Sequence, residues 1–309
     1  MVPPIPAHAV SDLLVSRGID TGNGSVHSVF ATSFNLELDG RLVHVGSDAS
    51  PLSCYGVNVG EREMAGLAEG LAAGDEARLR GGRLRIYRRS GVAELDLAAG
   101  AVRPMGVPAG SGLPVGADEA LFGAVERVGL LDRIGLPWPD RSRAAVSDLA
   151  RFSIACLRLS RGEAGERVLT AGGVAGPSAR ERYDASRRAM RGAVDYLLGR
   201  GLGLTPSGDD VLCGFGCALR LLFGATGLAD PFYRAVSELM PGRTTAVSEA
   251  YLAAMVAGYA NEDCLDLAGA IAQGAWERLA ACLDRVLTVG HTSGADGLLG
   301  FSAAFGCLL

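Results

Sequence analysis

The pattern Ser-Gly-x-Asp-x-Leu-x-Gly-Phe occurs twice, at residues 207–215 and again at 293–301, the second serine following the first by 86 residues. Each copy opens an apolar stretch. Residues 211–223 and 298–309 are apolar nearly all round and are interrupted by Gly and Cys. A helix with no polar face belongs inside a core, and glycines on it let a neighbouring backbone come close. The duplication therefore predicts two buried central helices, with neighbours near Gly214, Gly216, Gly300 and Gly306 and with matching heads placed alike.

The rest of the chain divides by periodicity. From Ser25 to Leu97 apolar and polar residues alternate with period two, which is the pattern of half-buried strands. Asp39-Gly40 between 34–38 and 41–45 marks a hairpin, because both residues tolerate the positive φ of a type I′ turn. Gly81-Gly82 marks a second between 78–80 and 83–87, and 92–97 is a further strand. The arginines in these strands alternate with apolar residues and read as a solvated face. A helical turn is expected around 10–17. Gly- and Pro-rich residues 100–116 mark a boundary, after which the period turns helical. Helices are expected at 117–133, 143–160, 178–198, 208–223, 230–240, 245–259, 263–288 (broken) and 294–307, with turns at 135–139 and 172–177. The expected fold is α+β: a small N-terminal β-sheet or barrel domain, 1–116, and a predominantly α-helical domain, 117–309.

Composition removes several functions. All 29 basic residues are Arg, so there is no lysine for a P-loop, a Schiff base or a lysine base. A net charge of −5 argues against general binding to nucleic acid or an anionic membrane. The seven cysteines form no Cys-x-x-Cys pair and no targeting run precedes them, so reduced, mostly buried thiols in a cytoplasm are expected. No apolar run reaches the roughly 20 residues a bilayer span requires. Gly199-x-Gly201-x-Gly203 follows a helix rather than a strand, unlike the dinucleotide fingerprint. Ser207 lacks the Gly-x-Ser-x-Gly elbow, and His and Cys do not cluster for zinc.

The chemistry that remains sits at helix heads. Taken as an N-cap, Ser207 would place Asp210 at N3 in a reciprocal capping box, and Ser293 with Asp296 would repeat it. Pure capping is one reading. The long glycine run before Ser207, the additional Asp209 and the matched heads favour a second, in which backbone N–H groups and the helix dipole hold a small anion. Gly203, Thr205, Ser207, Gly208, Thr292, Ser293, Gly294 and Asp296 would then bind the ligand, and Asp209, Asp210 and His291 would be the catalytic candidates. Acids in an anion site make sense if one handles a proton or if they ligate a divalent cation such as Mg2+. Arg243-Thr244-Thr245 forms a third head whose guanidinium suits a carboxylate or phosphate. Arg200, between Gly199 and Gly201, is a further cation near the loop.

Three segments together, Thr205-Pro206-Ser207-Gly208-Asp209-Asp210, Arg243-Thr244-Thr245-x-x-Ser248 and Gly290-His291-Thr292-Ser293-Gly294-x-Asp296, resemble a bacterial domain-of-unknown-function family. That family includes the AllH-type subunit of oxamate carbamoyltransferase. The resemblance spans the helical domain in order. It implies participation, with partner subunits, in converting oxalurate and phosphate to oxamate and carbamoyl phosphate during allantoin use, as a carbamoyltransferase component or as a non-catalytic anion-binding subunit.

Overall fold

The computed structural model describes residues 3–18, 21–110, 114–162, 178–224 and 226–307. The turn expected at 172–177 lies outside them. The chain forms two compact units, Met1–Gly106 with Tyr259–Asp263, and Val107–Gly258 with Cys264–Leu309.

The first unit is a curled mixed sheet. Its strands are β1 (Ile5–Pro6), β2 (Ala9–Ser11), β3 (Thr21–Val29), β4 (Ser33–Leu38), β5 (Arg41–Ser47), β6 (Gly56–Val59), β7 (Glu76–Arg80), β8 (Arg83–Arg88), β9 (Gly91–Asp96) and β10 (Ala101–Arg103). They lie in the order β1-β9-β8-β7-β3-β4-β5-β6-β2-β10. Both expected hairpins form. Asp39 and Gly40 take φ of 49° and 73°, and Gly81 and Gly82 take 55° and 72°, as two-residue turns between twisted strands require. Alternation fixes the register: Leu79, Leu84 and Ile86 are buried, whereas Arg78, Arg80 and Arg85 stay exposed. Arg85 pairs with Glu94 at 2.6 Å across β8 and β9.

Two features depart from the strand reading of 25–97. Glu61–Ala68 is a helix, α2, because Met64 and Leu67 recur at helical spacing and are its buried residues. The short strands β1, β2 and β10, of which β1 and β10 are the two edges of the sheet, were not expected, being too short for any period to show. The expected turn at 10–17 is the helix α1 (Asp12–Ser16), capped by the Ser11 hydroxyl. The segment 259–263 joins this unit through backbone polar groups. The Ala260 N–H donates to Met105 O, Asn261 Oδ1 accepts the Cys54 N–H at 2.9 Å, and Glu262 Oε2 accepts the Leu52 N–H at 3.0 Å.

The second unit is helical among its described residues: α3 (Ala117–Arg127), α4 (Asp140–Ser160), α5 (Ala179–Leu197), α6 (Ser207–Phe223), α7 (Asp230–Leu239), α8 (Ala246–Val256), α9 (Glu262–Gln273), α10 (Trp276–Val286) and α11 (Ser293–Ala304). The α9/α10 break falls at Gly274, whose φ of 64° ends the first helix. The two repeated segments are the buried central helices. Val211, Leu212, Phe215 and Leu219 on α6, and Leu298, Leu299, Phe301 and Ala303 on α11, are at most 1 % exposed.

These two helices touch backbone to backbone. A Cβ on Gly214 would lie 1.9 Å from Gly297 O, and a Cβ on Gly300 would lie 1.9 Å from Val211 O. Each contact maps onto the other under the 86-residue offset of the repeat. The duplicated sequence has folded as a pseudo-symmetric pair, and only glycine permits the approach at either crossing point.

Candidate active site at two paired helix heads

The loop 198–206 enters α6 through Gly199, Gly201 and Gly203, with φ of 69°, 121° and 93°. Those angles strain any other residue, and at Gly201 a Cβ would also stand 2.6 Å from the Ser207 nitrogen. The loop is fastened by Asp209, which is 1 % exposed. Its Oδ1 accepts the Gly199 N–H at 2.8 Å, and its Oδ2 accepts the Ser248 hydroxyl at 2.7 Å together with the Thr244 hydroxyl. Thr245 caps α8, accepting the Ser248 N–H at 3.0 Å, and donates its hydroxyl to Leu204 O. One carboxylate thus clasps the loop, the head of α6 and the head of α8.

The capping-box reading of the two motifs does not hold. Ser207 and Ser293 are the first residues of their helices, the cap positions are Pro206 and Thr292, and neither side chain caps the N–H groups of its own helix. The Pro206 carbonyl instead accepts the N–H groups of Asp209 and Asp210, at 2.8 and 3.2 Å, and the Thr292 carbonyl accepts that of Asp296 at 2.8 Å. The serine side chains are left to point elsewhere, and they cross. The Ser207 hydroxyl of α6 bonds Asp296 of α11, and the Ser293 hydroxyl of α11 bonds Asp210 of α6.

The two aspartates occupy equivalent positions but different surroundings. Asp296 is fully buried, and its Oδ1 accepts the Gly135 and Leu136 N–H groups, both at 3.0 Å, while Oδ2 takes the Gly135 N–H at 3.2 Å. Burial raises its carboxyl, and the bonds from Leu136, Ser207, Thr292 and Gly135 pull it back. Asp210 has no backbone nest. Burial pushes its carboxyl well above the usual range, the charges of Asp296 and Asp209 add to this, and only the Ser293 and Thr205 hydroxyls oppose it. Its Oδ2 is out of solvent and has no partner among the described residues, although the residue as a whole keeps some exposure. Thr205 and Ser293 lie 3.0 Å apart, hydroxyl to hydroxyl, and both are half-buried.

Thr205, Ser207, Asp210, Thr292, Ser293 and Asp296 are therefore brought together. Gly208 and Gly294 lie beneath them as contact points: their Cβ positions would fall 2.1 Å from Leu197 O and 1.8 Å from Val286 O. Gly203 and His291 are exposed at the rim, and His291 makes no hydrogen bond among the described residues. Arg243 turns outward. Its guanidinium pairs with Asp195 at 2.9 Å and is 45 % exposed. Arg200 stacks on Tyr196 at 3.8 Å. No group of three or more His, Cys, Asp or Glu suited to a metal ion occurs among the described residues.

Gly135, Leu136 and Ser248 were not singled out from the sequence as site residues. Gly135 stood in view only as part of a Gly/Pro turn, yet a side chain there would come within 2.3 Å of Thr292 Oγ1 and 2.8 Å of Ser207 Oγ. Ser248 was named only as the end of the family-like segment Arg243-Thr244-Thr245-x-x-Ser248, with no role at the site.

A curled mixed sheet joined in one chain to a helical unit, whose twin buried helices cross-link their heads through Ser/Thr–Asp pairs, defines the class of α+β protein to which this chain belongs. It is a member of the AllH family: the family described as oxamate carbamoyltransferase subunit AllH matches residues 197–305, and the AllH family N-terminal domain matches residues 7–101. The first match contains the loop, α6, α8 and α11, while Gly135 and Leu136 fall outside both. No solved structure matches the chain. No helix among the described residues is long and apolar enough to cross a membrane.

Proposed function

We propose that this chain is the proton-handling subunit of an oxamate carbamoyltransferase, working with partner subunits to interconvert oxalurate plus phosphate and oxamate plus carbamoyl phosphate. The observation that carries the reading is the buried, unpartnered Asp210 Oδ2 at the crossed heads. When a phosphate oxygen attacks the carbamoyl carbon, the C–N bond to the departing oxamate breaks and its nitrogen needs a proton. Asp210, whose carboxyl is raised by burial, holds a proton for that nitrogen, and in the reverse direction takes it back. Thr205 and Ser293 aim it, and Asp296, fixed by the Gly135–Leu136 nest, holds Ser207 and Thr292 in place.

The anionic ends of the substrates lie by Gly203 and the N-termini of α6 and α11, where the helix dipoles favour negative charge, with Gly208 and Gly294 packed beneath as the backing of the two heads. Arg243 turns in from the turn before α8, beside Thr244 and Thr245. Its present ion pair with Asp195 is exposed and contributes at most about 1 kcal/mol, so releasing it costs little. Asp209 acts as the clasp that keeps these heads together, and His291 exchanges protons with solvent at the rim. On this reading the protein works in the cytoplasm, in the breakdown of purine-derived allantoin, a setting that suits cysteines held as thiols rather than in disulfides.

A second reading, a ligand-binding subunit whose catalytic groups lie on a partner, is favoured by the family's description as a subunit and by the outward turn of Arg243. The test is carbamoyl phosphate formation from oxalurate and phosphate by the chain with its partner subunits, wild type against Asp210→Asn. The proposal expects a loss of about 100-fold or more in kcat with oxalurate binding retained. Full activity in the Asn variant overturns it and leaves the binding-subunit reading.

A further inference from the structure

The second unit contains a pair of thiols that the site does not use. Cys217 lies on α6, two turns beyond Asp210, and is 2 % exposed. Cys264 is in the first turn of α9 and keeps partial access to solvent. Their sulfurs are 2.9 Å apart, with the Cys264 thiol donating to Cys217 Sγ. That is inside the roughly 3.5–4.0 Å of an ordinary non-bonded contact between heavy atoms. A disulfide of about 2.05 Å needs the sulfurs to close by less than about 1 Å.

The surroundings assign the two sulfurs different parts. Cys264 sits in the first turn of α9, next to Asp263, and solvent reaches it, so it is the sulfur that an oxidant in solution meets first. Cys217 is sealed beneath it. Gly216 beside it presses on Met255, where a Cβ would come within 2.1 Å of the sulfur, and Tyr233 donates to Gly216 O at 2.8 Å. Three residues further along α6, Arg220 has a buried Nε with no partner among the described residues. It contributes positive charge to this side of the helix.

We propose that Cys217 and Cys264 form a reversible disulfide when the protein meets a peroxide. The Cys264 thiolate attacks the peroxide, the O–O bond breaks, and Cys264 becomes a sulfenic acid while one oxygen leaves as water. Cys217 sulfur then attacks Cys264 sulfur, expelling the hydroxyl as a second water and forming the S–S bond. Two thiols are oxidised and one peroxide is reduced. The bond ties α6, which carries the Asp210 head, to the first turn of α9, and a dithiol reductant reopens it.

The test uses the full chain, treated with hydrogen peroxide and then alkylated. With no lysine present, trypsin cuts only after Arg and places Cys213 and Cys217 on peptide 201–220 and Cys264 on peptide 244–278. The expected result is joint loss of alkylation at Cys217 and Cys264, appearance of the two peptides joined with two hydrogens fewer, and reversal by dithiothreitol. Cys213→Ser should keep the link, and Cys217→Ser and Cys264→Ser should abolish it. Circular dichroism checks that each variant folds, and fragment ions from the wild type identify the linked cysteine independently. Retention of both alkyl labels in the wild type, or a link made through Cys213, overturns the proposal.

Discussion

The same substitution, glycine to alanine, should have opposite effects at two kinds of helical position in this unit. At Gly214 and Gly300 the new methyl would lie 1.9 Å from a backbone carbonyl of the partner helix, against the 3.4 Å at which ordinary contact begins. Neither neighbour is a flexible side chain, so α6 and α11 must part by about 1.5 Å along a seam of fully buried residues. Parting them forfeits dispersion contacts over several turns, and each single variant should lose about 3 kcal/mol, at the upper end of overpacking costs. For a unit of this size that is a fall of about 6–12 °C in midpoint. Gly192 on α5 has nothing within 4 Å of its Cβ position and is exposed, so Gly192→Ala should gain about 0.5–1 kcal/mol from reduced chain entropy. The double variant Gly214→Ala/Gly300→Ala should cost less than the two singles together, because the first separation makes room for the second. Thermal scans by far-UV circular dichroism, following the helical transition, measure all four. If Gly214→Ala and Gly300→Ala melt within a degree or two of wild type, the backbone contact of the two helices is wrong, and with it the pseudo-symmetric seam.

The clasp can be taken apart in steps. Asp209→Ala strands three donors, the buried Ser248 hydroxyl and the half-buried Gly199 N–H and Thr244 hydroxyl, and should cost about 2–4 kcal/mol, whereas Ser248→Ala removes one donor and should cost about 1 kcal/mol, both read from urea midpoints. Equal costs would show that Asp209 binds none of them tightly. In the sheet unit, burial lowers His44 from 6.5 to about 4. The folded state therefore binds the proton more weakly than the unfolded state does, so stability is complete above pH 6.5 and declines as pH falls toward 4, by ~3 kcal/mol. His44→Gln should flatten that part of the pH–stability curve; an unchanged slope would assign the acid sensitivity to other groups.

How much of this was readable in the chain follows from how local each feature is. The hairpins, the outward arginines and the two apolar helices are written in spacing alone, since a turn or a periodic face needs only its own few residues. Helix α2 was lost inside a strand-like region because eight residues give little more than two turns of pattern. The segment 259–263 serves the sheet unit by offering an amide and a carboxylate to loop N–H groups, and no period announces such a bond. The capping box went wrong for a related reason. Spacing within one motif cannot tell whether a serine faces its own helix start or a neighbour's, and here Pro206 and Thr292 already occupy the cap positions.

The most informative part of the repeat is where its copies diverge. Ser207 and Ser293 mirror each other, as do Gly214 and Gly300, and that symmetry builds the crossed heads. A perfectly symmetric pair would give two acids with equal environments and no reason to favour either. The symmetry is broken from outside the repeat, by the Gly135 and Leu136 N–H groups, which reach Asp296 and not Asp210. One acid is thereby supplied with donors and becomes part of the frame. Its twin is left buried with two hydroxyls, the neighbouring charges of Asp296 and Asp209 and an oxygen without a partner among the described residues, a setting that favours the protonated carboxyl. That is why the proposal assigns the proton to Asp210, although the motif around Asp296 is written in almost the same letters.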